Sequence, residues 1–370
     1  MKKFVSLMLA VVMLLSVASF ASAEDAIRVA MITDSGDITD QSFNQTTYEA
    51  CKAFCEANGI DFKYYKPAGD SNPERVAMID AAVEDGFNVI VLPGFLFAPA
   101  IAECQPMYPE VKFIALDVSE YDLSSNGLNI AEAANLYSAV YQEELSGYMA
   151  GFAAVKMGYK HLGFLGGMAV PAVIRFGYGF VQGANDAAKE LGLADVAVEY
   201  VYGNQFYGDA DITAYMDNWY QTMGVEVVFA CGGGIYASAA EAAAKVGGKV
   251  IGVDVDQAAI IDGGYGDGMT VTSAMKGLAP TVEHMLTEVA AGNFANYGGK
   301  IETLGLVSGD DPAANYVQIP MESTQWSDSF SQDDYKALVK DMFDGKITVS
   351  NDISAMPATS IAVNEYGNIK

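Results

Sequence analysis

The chain of 370 residues carries 47 acidic and 20 basic side chains, a net charge of −27, with only two histidines and four cysteines. This excess of negative charge would repel phosphate backbones and anionic lipids, so we expect no nucleic-acid partner. The scarcity of histidine argues against a Ser-His-Asp triad and against a zinc hydrolase, and we expect no metal and no cofactor. The length suits about two domains of roughly 150 residues each.

The first 23 residues have the pattern of a secretory signal peptide. Lys2 and Lys3 precede an apolar run over residues 4–17, and the small residues 21–23 fit a cleavage site. No cysteine follows the apolar run, so the bacterial lipid-anchor pattern is absent. We expect a mature chain from near Glu24, located outside the cytoplasm in a periplasm or at the cell surface, with 18 basic and 47 acidic side chains and a net charge of −29.

The four cysteines do not form a disulfide framework in a chain of this length. Cys51 and Cys55 lie one helical turn apart, but no further cysteine or histidine lies near them in sequence, as a metal site would require. Free cysteine behaves as a small hydrophobic residue, so we expect these two in a core.

From residue 27 onwards, apolar strands alternate with amphipathic helices. The predicted strands are 27–33, 62–66, 89–93 and 113–116, and the predicted helices between them are 41–58, 73–85 and 98–107. Continuous apolar runs suit a parallel sheet that is covered on both faces. The first part of the chain is therefore predicted to be one doubly wound α/β domain.

The same alternation restarts after a long helix predicted at 137–157. The predicted elements that follow are strands 162–165, 196–201, 225–229 and 250–253, with helices 171–191, 212–223 and 237–246. Beyond Asp254 we expect strands 269–275 and 300–307 and helices 279–291 and 332–343. The duplication predicts two doubly wound α/β lobes with a cleft between them.

The two lobes are expected to exchange segments. By analogy with two-lobe proteins joined by several strands, 269–275 and 300–307 are predicted crossings. The N-terminal lobe would comprise 24–135 plus about 276–300, and the C-terminal lobe 136–275 plus about 301–370.

Polar side chains follow two of the predicted strands in the first lobe. Asp34 and Asp117 come directly after strands, and Asp40 is placed to cap a helix whose first turn carries Phe43 and Asn44. The carboxyl ends of strands are where open α/β sheets bind ligands. An aromatic face, an amide and carboxylates at this edge suit a small, flat, polar ligand.

Four motifs, in the same order along the chain, resemble the basic membrane protein family. They are DQSFNQ at 40–45, ELSGYMAG at 144–151, IGVDVDQ at 251–257 and TSAMK at 272–276. The family comprises purine-nucleoside-binding, lipoprotein-like substrate-binding components of ABC importers. The resemblance implies a type I periplasmic binding protein fold, a nucleoside ligand and an ABC permease as partner.

The resemblance also implies roles for first-lobe residues. Phe43 would stack on one face of a purine, and Asn44 would hydrogen-bond its edge. Asp34 and Asp117 would reach the base or shape that side of the pocket. From the residues alone, Phe43 could instead be part of the core, although the adjacent Asn44 favours a binding role.

On the second lobe, the resemblance places Phe206 against the other face of the base, Asp254 on the ribose hydroxyls and Lys276 on the sugar. Gly232 or Gly233 would allow backbone to approach the ligand closely. A carboxylate can accept from two adjacent hydroxyls, and a nearby ammonium would offset its desolvation. From the residues alone, the acid and the lysine could form a structural ion pair.

Other functions remain open on sequence grounds. A dinucleotide-dependent oxidoreductase is disfavoured because the turn after Thr33 lacks GxGxxG. A glycoside hydrolase could use the aspartates of the cleft, and turnover of nucleosides would reveal it. A sugar-binding protein or a receptor could use the same fold. We expect a monomeric binding protein with no enzymatic activity.

Overall fold

A computed structural model describes residues 26–370, so the predicted signal peptide at 1–23 lies outside the described residues. The strands are β1 Arg28–Ile32, β2 Asp61–Tyr65, β3 Val89–Pro93, β4 Lys112–Leu116, β5 Leu136–Tyr141, β6 His161–Gly166, β7 Ala197–Tyr202, β8 Val227–Cys231, β9 Lys249–Asp254, β10 Thr270–Lys276, β11 Lys300–Leu304, β12 Val317–Gln318 and β13 Ala362–Asn368. The α-helices are α1 Phe43–Asn58, α2 Asn72–Glu84, α3 Ala98–Cys104, α4 Glu120–Ser125, α5 Glu143–Lys156, α6 Pro171–Leu191, α7 Ala210–Asn218, α8 Tyr236–Ala244, α9 Ala258–Tyr265, α10 Leu278–Ala290 and α11 Gln332–Phe343.

The strands form two sheets that repeat one topology. The first sheet has the order β11-β5-β4-β3-β1-β2, and the second has β12-β10-β9-β8-β6-β7-β13. All neighbours pair in parallel except β10 and β12. The run β2-β1-β3-β4-β5 thus corresponds to β7-β6-β8-β9-β10, and the predicted fold of two doubly wound α/β lobes is confirmed.

Short sequence signals explain where several helices begin and end. Pro171 opens α6, where its missing N–H has no intrahelical partner to lose, and Gly192 ends that helix with a φ of 64°. Ser119 and Asp122 form a reciprocal capping box at the start of α4. These local features need no tertiary contact, which is why the bounds of α6 follow closely from sequence.

The cores lie between the sheets and their helices. Strand β3 is buried along its whole length, as a continuous apolar run predicts. Cys51 and Cys55 of α1 are fully buried in the first-lobe core, which confirms the packing expectation. Cys104 and Cys231 are also buried, and all four thiols are free. Within residues 26–370, none of the helices combines the length and the apolarity needed to cross a bilayer.

The sheets correct the lobe boundary expected at 135/136. Strand β5 is hydrogen-bonded to β4 and β11 of the first sheet, and β11 also belongs to that sheet rather than to the second lobe. The helix expected at 137–157 begins only at Glu143. Its first residues fit a helical pattern because Val140 and Tyr141 lie three and four residues after Tyr137, but the buried sequence LYSAVY pairs on both sides as a strand.

The chain passes between the lobes three times, after β5, after β10 and after β11. The two predicted crossing strands each lie within one sheet, and each ends at a passage to the other lobe. Two hydrogen bonds join the passages, from Gln142 N–H to the Leu304 carbonyl at 3.0 Å and from Gly277 N–H to the Tyr316 carbonyl at 2.7 Å.

Candidate functional site

The carboxyl ends of strands from both lobes line one cleft of about 880 Å³, counted together with its mouth. All eight residues predicted for the site lie in its wall, namely Asp34, Phe43, Asn44, Asp117, Phe206, Gly232, Asp254 and Lys276. The structure therefore brings the predicted residues together from two halves of the chain.

Asn44 organises the acidic side chains of the first-lobe wall. Its amide nitrogen donates to Asp34 Oδ1 at 3.0 Å and to Asp40 Oδ2 at 3.1 Å, and its oxygen accepts from Asp34 N–H at 3.3 Å. Burial raises the pKa of Asp34, although the hydrogen bonds from Gly36 N–H and from Asn44 act to lower it. With both amide hydrogens directed at carboxylates, Asn44 positions Asp34 in addition to lining the cleft.

Lys276, at the end of β10, is the cationic centre of the site. Its Nζ lies 2.6 Å from Asp117 Oδ2, 3.4 Å from Glu143 Oε1 and 3.9 Å from Asp254 Oδ1. Burial acts to lower the pKa of Lys276, but the attraction of the three carboxylates outweighs it and the pKa is raised. The lysine stays charged because anions surround it.

Aromatic rings complete the surroundings of Lys276. The ammonium lies 4.8 Å from the ring centroid of Phe43, 5.4 Å from that of Tyr141 and 5.7 Å from that of Phe176. A cation above an aromatic face is attracted by the ring quadrupole. Phe43 therefore lies at the cleft and contacts its charged centre, in addition to packing against the first-lobe core.

Asp117 and Asp254 occupy equivalent places in the two repeats. Asp117 follows β4 with a φ of 60°, and Asp254 ends β9 with a φ of 65°. Non-glycine residues rarely adopt this left-handed conformation, which clusters at functional sites. Here it coincides with two carboxylates that converge on one lysine.

Burial is the largest influence on the ionisation of both acids. It raises the pKa of Asp117 to about 6, although Lys276 acts to lower it. It also raises the pKa of Asp254, against the opposing effects of Lys276 and of a hydrogen bond from Ser42. Within residues 26–370, the buried Asp117 Oδ1 has no hydrogen-bond partner, so one acceptor of the cleft wall is unsatisfied.

Glycines make room for Phe206. A Cβ on Gly167 would lie 2.5 Å from the Phe206 ring, and a Cβ on Gly232 would lie 3.1 Å from it. Gly232 was expected to bring backbone close to a ligand. The structure gives it a further task, because its missing side chain lets the Phe206 ring reach the cleft wall.

Hydrogen bonds across the cleft join the two lobes. Ser42 Oγ donates to Asp254 Oδ2 at 2.6 Å, and Gln257 Nε2 donates to the Gln41 carbonyl at 3.0 Å. Gln41 has a φ of 57°, a third left-handed residue at this interface. The lobes are therefore in contact across the cleft.

Sequence reasoning missed several residues of the site. Ser42 and Gln257 belong to the quoted motifs, but what they contact depends on how the lobes meet. Arg175 and Phe176, in the first turns of α6, also line the cleft. Arg175 Nε donates to Glu143 Oε2 at 2.6 Å. Of two aromatic residues of α6 near this site, Phe176 lines the cleft and Phe180 lies fully in the core.

In the part of the chain that the structure describes, no three histidine, cysteine or carboxylate side chains are grouped as a metal site. The cleft instead offers four phenylalanine side chains, Phe43 and Phe95 from the first lobe and Phe176 and Phe206 from the second, with several carboxylates and one buried ammonium. These groups can stack on a flat ligand and can exchange hydrogen bonds with its polar edges.

Two curated relatives match most of the chain. BmpA, an ABC transporter nucleoside-binding protein of Lactococcus lactis, is 26% identical over 340 residues, which cover 87% of this chain and 89% of the relative. Basic membrane protein B of Borreliella burgdorferi is 26% identical over 295 residues, which cover 78% of this chain and 81% of the relative.

Solved structures share the fold. An ABC transporter solute-binding protein from Aeropyrum pernix superposes with a TM-score of 0.66 at 22% identity and 88% coverage of both chains. One from Conexibacter woesei gives a TM-score of 0.64 at 22% identity, covering 88% of this chain and 99% of the other. The family model described as "ABC transporter substrate-binding protein PnrA-like" matches residues 27–340. The chain therefore belongs to this PnrA-like family of ABC transporter substrate-binding proteins.

Proposed function

We propose that the protein binds a nucleoside, and a purine nucleoside in particular, in the cleft between its lobes. The observation that carries this proposal is the set of groups in one cavity: Phe43 and Phe206 from opposite lobes, with Asp254 and Lys276 beside them. The name of the Lactococcus lactis relative, a nucleoside-binding protein, supports the same ligand class.

The chemistry of a nucleoside matches this set of groups. Stacking of a base on an aromatic ring contributes about 1–3 kcal/mol in proteins that bind single-stranded nucleic acid. Asp254 could accept from the two ribose hydroxyls, with Lys276 near its second oxygen at 3.9 Å. The unpartnered Asp117 Oδ1 could accept from an N–H of the base. Both carboxylates thus have a counterpart on the ligand.

The charge of the wall favours a ligand without phosphate. Five carboxylates, Asp34, Asp40, Asp117, Asp122 and Asp254, line the cleft, against Arg175 and Lys276 as its cations. Both cations already have carboxylate partners. A phosphate group would enter a field of like charge and lose its hydration, so we expect a nucleoside monophosphate to bind far more weakly than the nucleoside.

We further propose that the protein is exported, acts as a monomer and delivers its ligand to an ABC permease. Membership of a transporter family supports the permease, and the leader pattern at 1–23 supports export. Closure of two lobes around a ligand is a known switching motion of binding proteins. Light scattering on a sizing column would test whether the protein is a monomer.

Native mass spectrometry of the purified protein, before and after unfolding and refolding, tests the ligand class. Loss of a bound mass equal to a nucleoside, followed by calorimetric rebinding of inosine or guanosine, is the expected result. Recovery of a pentose or hexose without any nucleoside binding would contradict the proposal. Release of free base during incubation with a nucleoside would instead identify a hydrolase.

A further inference from the structure

The last strand of the second sheet lies beyond the residues that the family match covers. The family match ends at residue 340, whereas β13 spans Ala362–Asn368 and pairs in parallel with β7. Strand β7 leads directly into residues 203–209, which we call the Phe206 loop. An element outside the family match therefore borders the segment that carries one aromatic residue of the cleft.

Residues after β13 bind both ends of the Phe206 loop. Ile369 N–H donates to the carbonyl of Tyr202, the last residue of β7, at 2.8 Å. Lys370 Nζ forms an ion pair with Asp209 Oδ2 and lies 3.6 Å from Asp211 Oδ2. The first contact is at the start of the loop and the second is at its end.

Asp209 also accepts hydrogen bonds from residues on either side of Phe206. Its Oδ1 accepts from Asp211 N–H and Ile212 N–H, both at 3.0 Å, at the start of α7. Its Oδ2 accepts from Gln205 Nε2 at 2.8 Å, and Gln205 Nε2 also donates to the Tyr207 carbonyl at 2.9 Å. The hydrogen bond from Lys370 is the main reason why the pKa of Asp209 is lowered, to about 2.

Strand β13 is itself firmly attached to the lobe. Tyr366 donates its hydroxyl hydrogen to Glu199 Oε2 at 2.6 Å, and Asn364 Nδ2 donates to Glu199 Oε1 at 3.0 Å. Glu199 lies on β7 and is only 3% exposed. The Tyr366 ring also lies 6.2 Å from that of the buried Trp219. The strand therefore provides a fixed base for Ile369 and Lys370.

We propose that residues 362–370, here named the C-terminal strap, hold the Phe206 loop in its ligand-binding conformation and thereby raise affinity. Without the strap the loop would sample more conformations, and binding would have to order it. The effect on affinity rests on the proposed function, since it requires Phe206 to contact the ligand. The effect on loop order does not.

Two variants test the strap in the full folded protein. Lys370→Met removes the ion pair, and truncation after Asn368 removes Ile369 and Lys370 but leaves β13 in place. Lys346→Met is the matched control, because Lys346 pairs with Asp341 and Asp344 at the end of α11. Hydrogen exchange of peptides covering 203–209 in the ligand-free protein is measured beside calorimetric binding of inosine.

We expect hydrogen exchange in the Phe206 loop to be about threefold faster in Lys370→Met, because that factor corresponds to the free energy of a typical surface ion pair. In the truncation we expect it to be about tenfold faster. Inosine affinity should fall by similar factors, and Lys346→Met should change neither. Unchanged loop exchange in both variants would overturn the strap, as would faster exchange with full affinity. A wild-type protein that binds no nucleoside would overturn the proposed function instead, while exchange would still decide whether the strap orders the loop.

Discussion

The two walls of the cleft satisfy their polar groups in different ways. On the first-lobe wall, Asn44 donates to Asp34 and Asp40, which belong to the same lobe. On the second-lobe wall, Asp254 accepts from Ser42 and Lys276 pairs with Asp117, so both charged groups have partners in the opposite lobe. Asp34 and Asp40 of the first wall are thus satisfied within their own lobe, whereas Asp117 and the charged groups of the second wall depend on contact between the lobes.

This difference assigns separate tasks to the walls. A ligand can meet a first wall in which Asp34 and Asp40 already have donors, and closure can then place Asp254 and Lys276 against the ligand. Opening would take Lys276 away from Asp117 and expose both to water. The state of the second wall therefore reports whether the lobes are closed.

The largest effect is expected from Lys276→Met. The change leaves Asp117, Glu143 and Asp254 buried around an apolar side chain, and removal of one member of a buried ion pair destabilises by about 3–5 kcal/mol. Chemical denaturation should show this loss, and calorimetry should show no nucleoside binding. Lys336→Met, at an exposed pair with Asp333 in α11, is the control and should leave both unchanged. A stable Lys276→Met protein with normal affinity would contradict the role of the lysine.

Asn44→Ala disrupts the first wall from within its lobe. Asp34 and Asp40 each lose one donor, although backbone N–H groups still donate to both, and a hydrogen bond to a charged group contributes about 1.5–3 kcal/mol. The free energy of unfolding should fall by that amount in urea denaturation, whether or not ligand is present. Asn58→Ala, at the exposed end of the same helix, should lower the free energy of unfolding by much less. Equal losses in the two variants would show that Asn44 has no special task.

Ser42→Ala acts on the second wall alone. It removes one of the hydrogen bonds between the lobes but no contact within either lobe's core, so we expect roughly tenfold weaker nucleoside binding with unfolding free energy nearly unchanged. Small-angle scattering of the ligand-free variant should show a larger radius of gyration than wild type. Ser124→Ala, exposed on α4, serves as the control. Wild-type affinity in Ser42→Ala would mean that this contact does not stabilise the closed arrangement.

The smallest effect concerns pH and a carboxyl beside the second wall. Burial raises the pKa of Glu144 to about 7, with Glu143 adding to the shift. Between its ordinary pKa of 4.5 and about 7, the folded protein holds a proton that the unfolded chain has released. The contribution of Glu144 to the free energy of unfolding therefore decreases as pH rises through this window.

Glu144→Gln removes this dependence. Relative to wild type, the variant should gain about 1 kcal/mol of stability between about pH 6 and pH 7, as measured by denaturation at each pH. Glu190→Gln, at an exposed pair with Lys156, should leave the pH dependence of wild type intact. A Glu144→Gln profile parallel to that of wild type would show that Glu144 is already ionised in the folded protein.

Sequence predicted the parts of this arrangement that depend on local pattern. Asp34 and Asp117 were placed at the carboxyl ends of strands, and the position of Phe43 and Asn44 in the first turn of α1 followed from the helix start. Strand β5 was missed because its apolar residues also fit a helical period. Strand β13 was missed because its residues are mostly exposed and polar, and its partner β7 is distant in sequence.

Contacts between the lobes could not be derived in the same way. Ser42 and Asp254 are 212 residues apart, and Gln41 and Gln257 are 216 apart. No periodicity links such positions, since their meeting depends on how two separately folded lobes come together. The motif resemblance identified Asp254, whereas only the structure identifies its hydrogen-bond donor.

Calorimetric titration of refolded protein with inosine tests whether the two walls bind one nucleoside. The titration compares wild type with Phe43→Ala, Asp254→Ala and the exposed-site control Phe343→Ala. Wild type and the control should bind equally, and each cleft variant should bind at least tenfold more weakly, a loss of about 1.4 kcal/mol. Absence of binding by wild type, or unchanged affinity in both cleft variants, would contradict the account.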